Sequence, residues 1–405
     1  MAIMSKVKLP FGWQWVKFGD IIAESQSGFA SGQRDPNGVI QLRMNNVDTR
    51  GNLIWDEYIR VPAADTKIEK YKLEVGDVIF NNTNSTELVG KSVLFTGYDE
   101  PVTYSNHFTR LRTKPEIADS AFATFWLISQ WQAKTFENIC NRWIGQSAVK
   151  TDKLFVLEIP LPPLDEQRRI ASRLNEQLAA VESAQVAAAE QLEAARQLPS
   201  RYLKEIFDNH TANKWTKVRL GDILFHKKEI IHPRDNPKGP AIFVGLEHIE
   251  SNTGVRIGSV DVEMSKLTGR KPKFYKGDIV YGYLRPYLNK VWIAEFDGLC
   301  SVDQYIYQVD EKKADTNFVA WFMRSPVYLE RAPIDTTPGQ LPRIRTEEVA
   351  SVEINLPPLD EQRKISFQIS EKLNNTNKLI NALESQLAEI NRLPASLLRE
   401  AFAGM

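Results

Sequence analysis

The sequence predicts an α+β protein: two similar, mainly antiparallel β-rich domains separated by two long helices that form an antiparallel coiled coil with pseudo-two-fold symmetry. Three observations predict it. The decapeptide LPPLDEQRRI at 161–170 returns as LPPLDEQRKI at 356–365, nine of ten positions identical and 195 residues apart. Each copy opens a long stretch with heptad spacing. The remainder is made of short β-branched and aromatic runs broken by Gly, Asn and Asp, the pattern of strands and turns. An internal repeat organises everything else, so the chain reads as two copies of one design.

The first segment, residues 1–160, reads as a β-rich domain with runs such as GDVIF (76–80) and KSVLFTGY (91–98), and one amphipathic helix over 121–136. The central segment, 161–208, begins with the decapeptide and closes with QLPSRYLKEIF (197–207). Its apolar positions step 4-3-4-3-4-3 through Leu174, Leu178, Val181, Gln185, Ala188, Leu192 and Ala195. The third segment, 209–355, repeats the β-rich pattern in DIVYGYL (278–284) and VWIAEF (291–296), with a helix over 317–331. The last segment, 356–405, carries the second seam at Ile369, Leu373, Thr376, Ile380, Leu383, Leu387 and Ile390, each 195 residues beyond its counterpart, and closes with RLPASLLREAF (392–402).

A heptad stripe needs a partner, because one helix alone leaves it wet. An Ala-rich seam opposite a bulky Leu/Ile seam suits one shared interface. Asp165, Glu166, Asp360 and Glu361 fall in the first turns, where carboxylates favour the positive end of the helix dipole. Pro199 and Pro394 are expected to end or kink each helix after about 34 residues, roughly 50 Å of rod. If the helices are antiparallel, the second returns to the first domain and brings the chain termini together. The plainer alternative is two unrelated amphipathic helices, each packed on its own domain; the matched register argues against it. Shorter echoes support the duplication: WVKFGDII (15–22) with WTKVRLGDIL (215–224), YKLEVGDVIF (71–80) with FYKGDIVY (274–281), and Gly-Gln at 145–146 and 339–340.

Composition excludes several classes. Basic and acidic side chains balance at 51 each, so bulk charge argues neither for nor against nucleic acid, although residues 211–345 hold 21 basic against 16 acidic groups. Cys140 and Cys300 are the only cysteines, too few for a disulfide framework or a zinc site. The five histidines lack ligand spacing, so no metal is expected. No apolar run is long enough for a membrane, and the N-terminus lacks a signal peptide, which points to the cytoplasm. Phosphate loops, nucleophile elbows, HExxH, dinucleotide fingerprints and the adenine-methyltransferase box are all missing. No catalytic residue and no cofactor are assigned to this chain.

What remains are polar and aromatic loops able to read base edges. RMNNVDTRGN (43–52) offers Arg43, Asn45 and Asn46; NNTNST (81–86) offers Asn81, Asn82 and Asn84, and the Asn amide pairs with adenine in the major groove. RWIGQSAVK (142–150) supplies Arg142, Gln146 and Lys150. YGYLRPYLNK (281–290) interleaves Tyr281, Tyr283, Arg285, Tyr287 and Lys290; TTPGQLPRIR (337–345) supplies Gln340, Arg343 and Arg345. The bland alternative is that Asn-rich loops are turns and strand tyrosines pack.

The doubled LPPLDEQR before a heptad helix, the paired Gly-Asp strands and the Gly-Gln approach resemble the specificity subunits of type I restriction-modification enzymes, over essentially the whole chain. That resemblance implies two target recognition domains reading the halves of a bipartite double-stranded DNA sequence, with the coiled coil as a ruler between them. It also implies docking of two adenine-N6 methyltransferase subunits, which carry S-adenosylmethionine, with motor-nuclease subunits joining in the restricting complex. Glu166, Gln167, Arg168, Arg169 and their repeats Glu361, Gln362, Arg363 and Lys364 are then candidates for the partner-binding surface, with solvated charges as the plain alternative. Two other readings compete: a coiled-coil scaffold that reads no DNA, and a self-sufficient methyltransferase or nuclease, which the missing boxes disfavour.

Overall fold

In the computed structural model, residues 9–62, 68–209, 212–336 and 341–403 are described. The chain divides into two compact units: residues 1–189 with 385–405, and residues 190–384.

The first unit is built around a four-stranded antiparallel sheet in the order Ile22–Ser27, Phe108–Thr113, Val78–Asn81, Ser92–Leu94. A three-stranded sheet (Ile59–Val61, Val39–Leu42, Val102–Tyr104) lies beside it in sequence space and contains a parallel pair. The hairpin Asn141–Trp143/Gln146–Ala148 pairs with Thr83–Asn84. Gln14–Lys17 pairs with Glu158–Leu161, the strand that leads into the first decapeptide.

The second unit repeats this plan. Its four-stranded sheet runs Leu224–Lys227, Gln304–Val309, Ile279–Gly282, Val291–Ile293, all antiparallel. A five-stranded sheet holds Pro240–Val244 parallel to Gly298–Cys300, as Val39–Leu42 is to Val102–Tyr104. Thr216–Arg219 pairs with Glu353–Leu356 before the second decapeptide.

The echoed Gly-Asp pair has a physical cause. Gly76 and Gly277 adopt φ of 95° and 90°, where a Cβ would be strained. The next residue, Asp77 or Asp278, is buried and accepts a hydrogen bond from the backbone N–H of Glu74 or Tyr275, each at 2.8 Å. The buried carboxylate is then paired with a cation from the same sheet: Arg112 on the adjacent strand at 2.6 Å in the first unit, Lys227 from two strands away at 2.9 Å in the second.

The amphipathic stretches in each β-rich region are shorter than expected. Ser120–Gln132 stops where Lys134 takes a left-handed conformation, and Thr135–Ile139 continues separately. Thr316–Met323 ends before Ser325, which caps a new helix, Pro326–Arg331, with its proline in the first turn. The rod helices depart in the opposite direction. They span Leu164–Phe207 and Leu359–Ala403, 44 and 45 residues, or about 66 Å each at 1.5 Å per residue, rather than stopping at the prolines. Pro199 and Pro394 sit inside them. A proline removes one i−4 hydrogen bond, and the turns beyond are held by packing: Leu203 and Phe207 are buried in one unit, Leu398 and Ala401 in the other.

The heptad stripe is the buried face. Leu174, Val181, Gln185, Ala188, Leu192 and Ala195 are buried in the first helix with Leu178 half-buried; Ile369 is buried in the second, and Leu373, Thr376, Ile380, Leu383, Leu387 and Ile390 are half-buried. Within the first unit, Ile170, Ala171 and Leu174 at the start of the first helix share a core with Leu398 and Ala401 at the end of the second. Within the second unit, Leu203 and Phe207 share a core with Ile369. Start meets end in both, so the two helices run antiparallel. Arg196 pairs with Glu384 at 2.7 Å, and the Lys372 ammonium lies 3.8 Å from the Tyr202 ring centroid.

Candidate nucleic-acid interface

The repeated decapeptide is a latch as well as a helix start. Gln167 is fully buried; its Oε1 accepts from Asp119 N at 2.9 Å, and its Nε2 donates to Ile117 O at 3.0 Å and Pro162 O at 2.8 Å. Gln362 does the same: Oε1 accepts from Asp315 N at 2.8 Å, and Nε2 donates to Lys313 O at 3.3 Å and Pro357 O at 2.9 Å. Asp119 and Asp315 are the N-caps of the buried helices beginning at Ser120 and Thr316, accepting from Phe122 N and Phe318 N at 2.9 Å each. Each glutamine therefore fastens a rod helix to the capped helix of its β-rich domain, satisfying backbone groups that burial would otherwise leave unpaired. Neither amide faces solvent, which removes Gln167 and Gln362 from any surface offered to a partner.

The charged neighbours are displayed. Arg168 pairs with Asp165 at 3.6 Å, Arg169 with Glu166 at 2.6 Å and Arg363 with Asp360 at 3.5 Å, all at i,i+3 spacing with the cations more than half exposed. Arg169 draws the Glu166 carboxyl below its usual range by hydrogen bonding. Glu361 and Lys364 are exposed.

In the first unit, Asn46 and Asn81 are buried and turned inward. Asn46 Nδ2 donates to Ile54 O and Glu57 O at 3.0 and 2.7 Å while its Oδ1 accepts from Arg43 N at 2.9 Å. Asn81 Nδ2 donates to Thr83 O and His107 O, and its Oδ1 accepts from Asn84 Nδ2 at 2.6 Å. Asn82 is half-buried and donates to Thr109 Oγ1 at 2.9 Å. These asparagines knit the loops, as the bland reading of such runs has it. Asn45, Arg142, Gln146 and Lys150 are exposed, and Arg43 is half-buried. The 141–148 hairpin tip also exposes Trp143 and Ile144, at 60% and 106%.

In the second unit, Tyr281 is fully buried, edge-on to Tyr328 at 6.0 Å between ring centroids. Tyr283 stacks on Tyr305 at 4.2 Å, and Lys290 donates to Leu246 O at 2.6 Å. Arg285 and Tyr287 are exposed on a loop in which Arg285 and Asn289 both take positive φ, 54° and 52°. Left-handed conformation at non-glycine residues persists only where the surroundings impose it, so this loop presents its side chains from a fixed backbone. Arg345 is exposed, and Arg343 is bound through its backbone to Asp335; Gln340 lies outside the described residues.

Among the described residues no group of three His, Cys, Asp or Glu is placed to hold a metal. A cleft of about 710 Å³ in the first unit has Arg50 and Glu182 as its charged lining residues, with no nucleophile–base pair. Among the described residues, no helix is long and apolar enough to cross a membrane.

Fold and sites define a two-copy, β-rich module on a helical rod. The family model for the type I restriction modification DNA specificity domain matches residues 10–194 and again 212–389, and the chain belongs to that family. It is a specificity subunit, not a catalytic one. It is 25% identical to the type I restriction enzyme EcoDI specificity subunit of Escherichia coli, with 99% of this chain and 90% of that protein covered. It is 24% identical to the putative type I restriction enzyme MjaX specificity subunit of Methanocaldococcus jannaschii, covering 89% and 87%. The fold is similar to a chain from a structure describing complex assembly and conformational transition of the type I R-M system (TM-score 0.72, 21% identity, 98% and 99% covered). It is also similar to the HsdS subunit from Thermoanaerobacter tengcongensis (TM-score 0.63, 20% identity, 98% of each chain).

Proposed function

We propose that this chain reads a bipartite double-stranded DNA target, one half-site with residues 1–160 and the other with 209–355. In this reading the two rod helices set the spacing between half-sites. The complex holds two adenine-N6 methyltransferase subunits, which bring S-adenosylmethionine; motor-nuclease subunits complete its restricting form. The observation that carries this is the duplicated plan itself: matching β-rich domains, each latched by a buried glutamine to an antiparallel rod helix. A rigid join of reading head to rod is what a molecular ruler needs, since slack at the latch would blur the spacing.

Base reading falls to exposed groups: Asn45, Arg142, Gln146 and Lys150 in one head, Arg285, Tyr287 and Arg345 in the other. Arg, Asn and Gln offer the fork geometries that match guanine and adenine edges. The outward charges at Glu166, Arg168, Arg169, Glu361, Arg363 and Lys364 present one surface twice, as two identical partners require. The site of action is the cytoplasm, where the DNA lies.

Deleting one heptad from both rod helices in register tests the ruler. Seven residues are about 10.5 Å of helix, close to three base pairs at about 3.4 Å each. The methylated motif should keep both half-sites and lose about three spacer positions. An unchanged spacer in an assembled, active variant rejects the ruler.

A further inference from the structure

In the first β-rich domain most half-buried or buried arginines meet a carboxylate. Arg60 pairs with Glu100 at 2.7 Å, Arg112 with Asp77 at 2.6 Å, and Arg110 with Glu24. Arg43 breaks that pattern. It is half-buried, and among the described residues no salt bridge reaches it and its buried Nε has no hydrogen-bond partner. Its Nη2 donates to Ser31 O at 3.3 Å, and Arg34 Nη1 donates to the same oxygen, also at 3.3 Å. Two guanidinium nitrogens converging on one carbonyl lie within about twice that distance of each other. Burial, and after it repulsion from Arg34, pulls the Arg43 pKa below its usual value. A third basic group comes from the turn whose Ser105 N–H donates to Leu42 O at 3.0 Å: His107, whose pKa is lowered by burial and then by the Arg43 charge, and whose buried Nδ1 has no hydrogen-bond partner among the described residues.

The second domain shows that the frame does not require these cations. Leu42 registers with Tyr104 in the parallel pair as Val244 does with Cys300, so Gly245 occupies the place of Arg43. The backbone N–H of Arg43 meets Asn46 Oδ1 at 2.9 Å, and that of Gly245 meets His248 Nδ1 at 3.0 Å. The turns Ser105–Phe108 and Ser301–Gln304 close with the same hydrogen bond, at 3.0 and 3.2 Å, which sets Asp303 at the place of His107. The same fold is thus built with a glycine and an aspartate where the first domain places an arginine and a histidine. Clustered like charge without a counter-ion costs free energy, and a full negative charge offsets it better than a carbonyl does.

We infer that Arg34, Arg43 and His107 form a clamp for one DNA backbone phosphate, present in the first reading domain and absent from the second. The clamp rests on the DNA-reading proposal and deepens it. Phosphate contacts set register on the duplex without reading sequence, so the clamp positions the first domain while neighbouring side chains read bases.

The test uses the full chain assembled with its methyltransferase partner and duplex DNA carrying its methylated motif. Affinity is measured across a salt series for wild type, Arg43→Gln, Arg43→Lys and the surface variant Arg34→Ala. Each lost phosphate contact lowers the log–log salt slope by about one. Arg43→Gln should do so, with the methylated motif unchanged, and Arg43→Lys should keep the wild-type slope. Arg34→Ala, on an exposed side chain, should lower the slope without altering thermal unfolding. Unchanged slopes in both neutral variants overturn the clamp. So does a relaxed first half-site with the slope intact, which would make Arg43 a base reader. If wild type itself binds DNA without salt dependence, the DNA-reading proposal falls, a result distinct from either.

Discussion

At the scale of residues, the most consequential side chains are the two buried glutamines. Replacing Gln167 or Gln362 by Leu strands the Asp119 or Asp315 N–H and two carbonyls, and should cost about 2–3 kcal/mol in urea unfolding. Loss of one buried latch with no change in stability would show that water replaces it at no cost. Cys300 offers a second check. Burial pushes its thiol pKa up to about 12 from 9.0. The folded state therefore holds the proton more tightly than the unfolded chain. Its contribution to stability is complete below pH 9 and is lost as pH rises toward 12. Because the thiolate is the reactive species, Cys300 should resist iodoacetamide at pH 8 until denaturant is added. Rapid labelling of the native chain would contradict the burial. Residue types alone do not distinguish the inward Asn46 and Asn81 from the outward Asn45, because all three sit in Asn-rich polar runs of the sequence. Only the strand register decides which amide is spent on backbone groups. The latch was legible in principle: Asp119 and Asp315 stand before apolar runs at nearly the repeat distance, yet no motif ties a cap to a distant glutamine.

At the scale of elements, heptad spacing was the strongest signal in the chain. All fourteen stripe positions lie on the buried or half-buried face. Helix length was harder to read, since proline's local cost suggests a stop while packing of the next turn outweighs it. Leu203 and Phe207 supply that packing in one unit, Leu398 and Ala401 in the other. Truncating Phe207 to Ala should cost about 3–5 kcal/mol, because its ring meets both Phe318 and Phe322 at 5.2 and 5.4 Å. Thermal unfolding would show this as a lowered transition for the second unit; no shift would mean the last turns of the helix beyond Pro199 are dispensable. The amphipathic runs of the β-rich domains erred the other way. Lys134 and the Ser325-Pro326 pair break them, and apolar spacing does not register a left-handed residue or a fresh cap.

At the scale of the whole molecule, the duplication explains the family match at two separate ranges. Trp13 near one end of the chain and Phe402 near the other pack on the same core of the first unit. A permutant with joined termini, reopened between Asn209 and Ala212, should therefore fold and assemble. A folded permutant unable to support methylation would contradict the circular layout. The central claim is that one chain reads two half-sites at a spacing set by its helices. The most direct measurement is a genome-wide map of N6-methyladenine in cells carrying the intact gene, no gene, and the gene shortened by one heptad in both rod helices. One split motif should be present with the gene, absent without it, and closer-spaced by about three base pairs in the shortened form. An identical map in all three would contradict that claim.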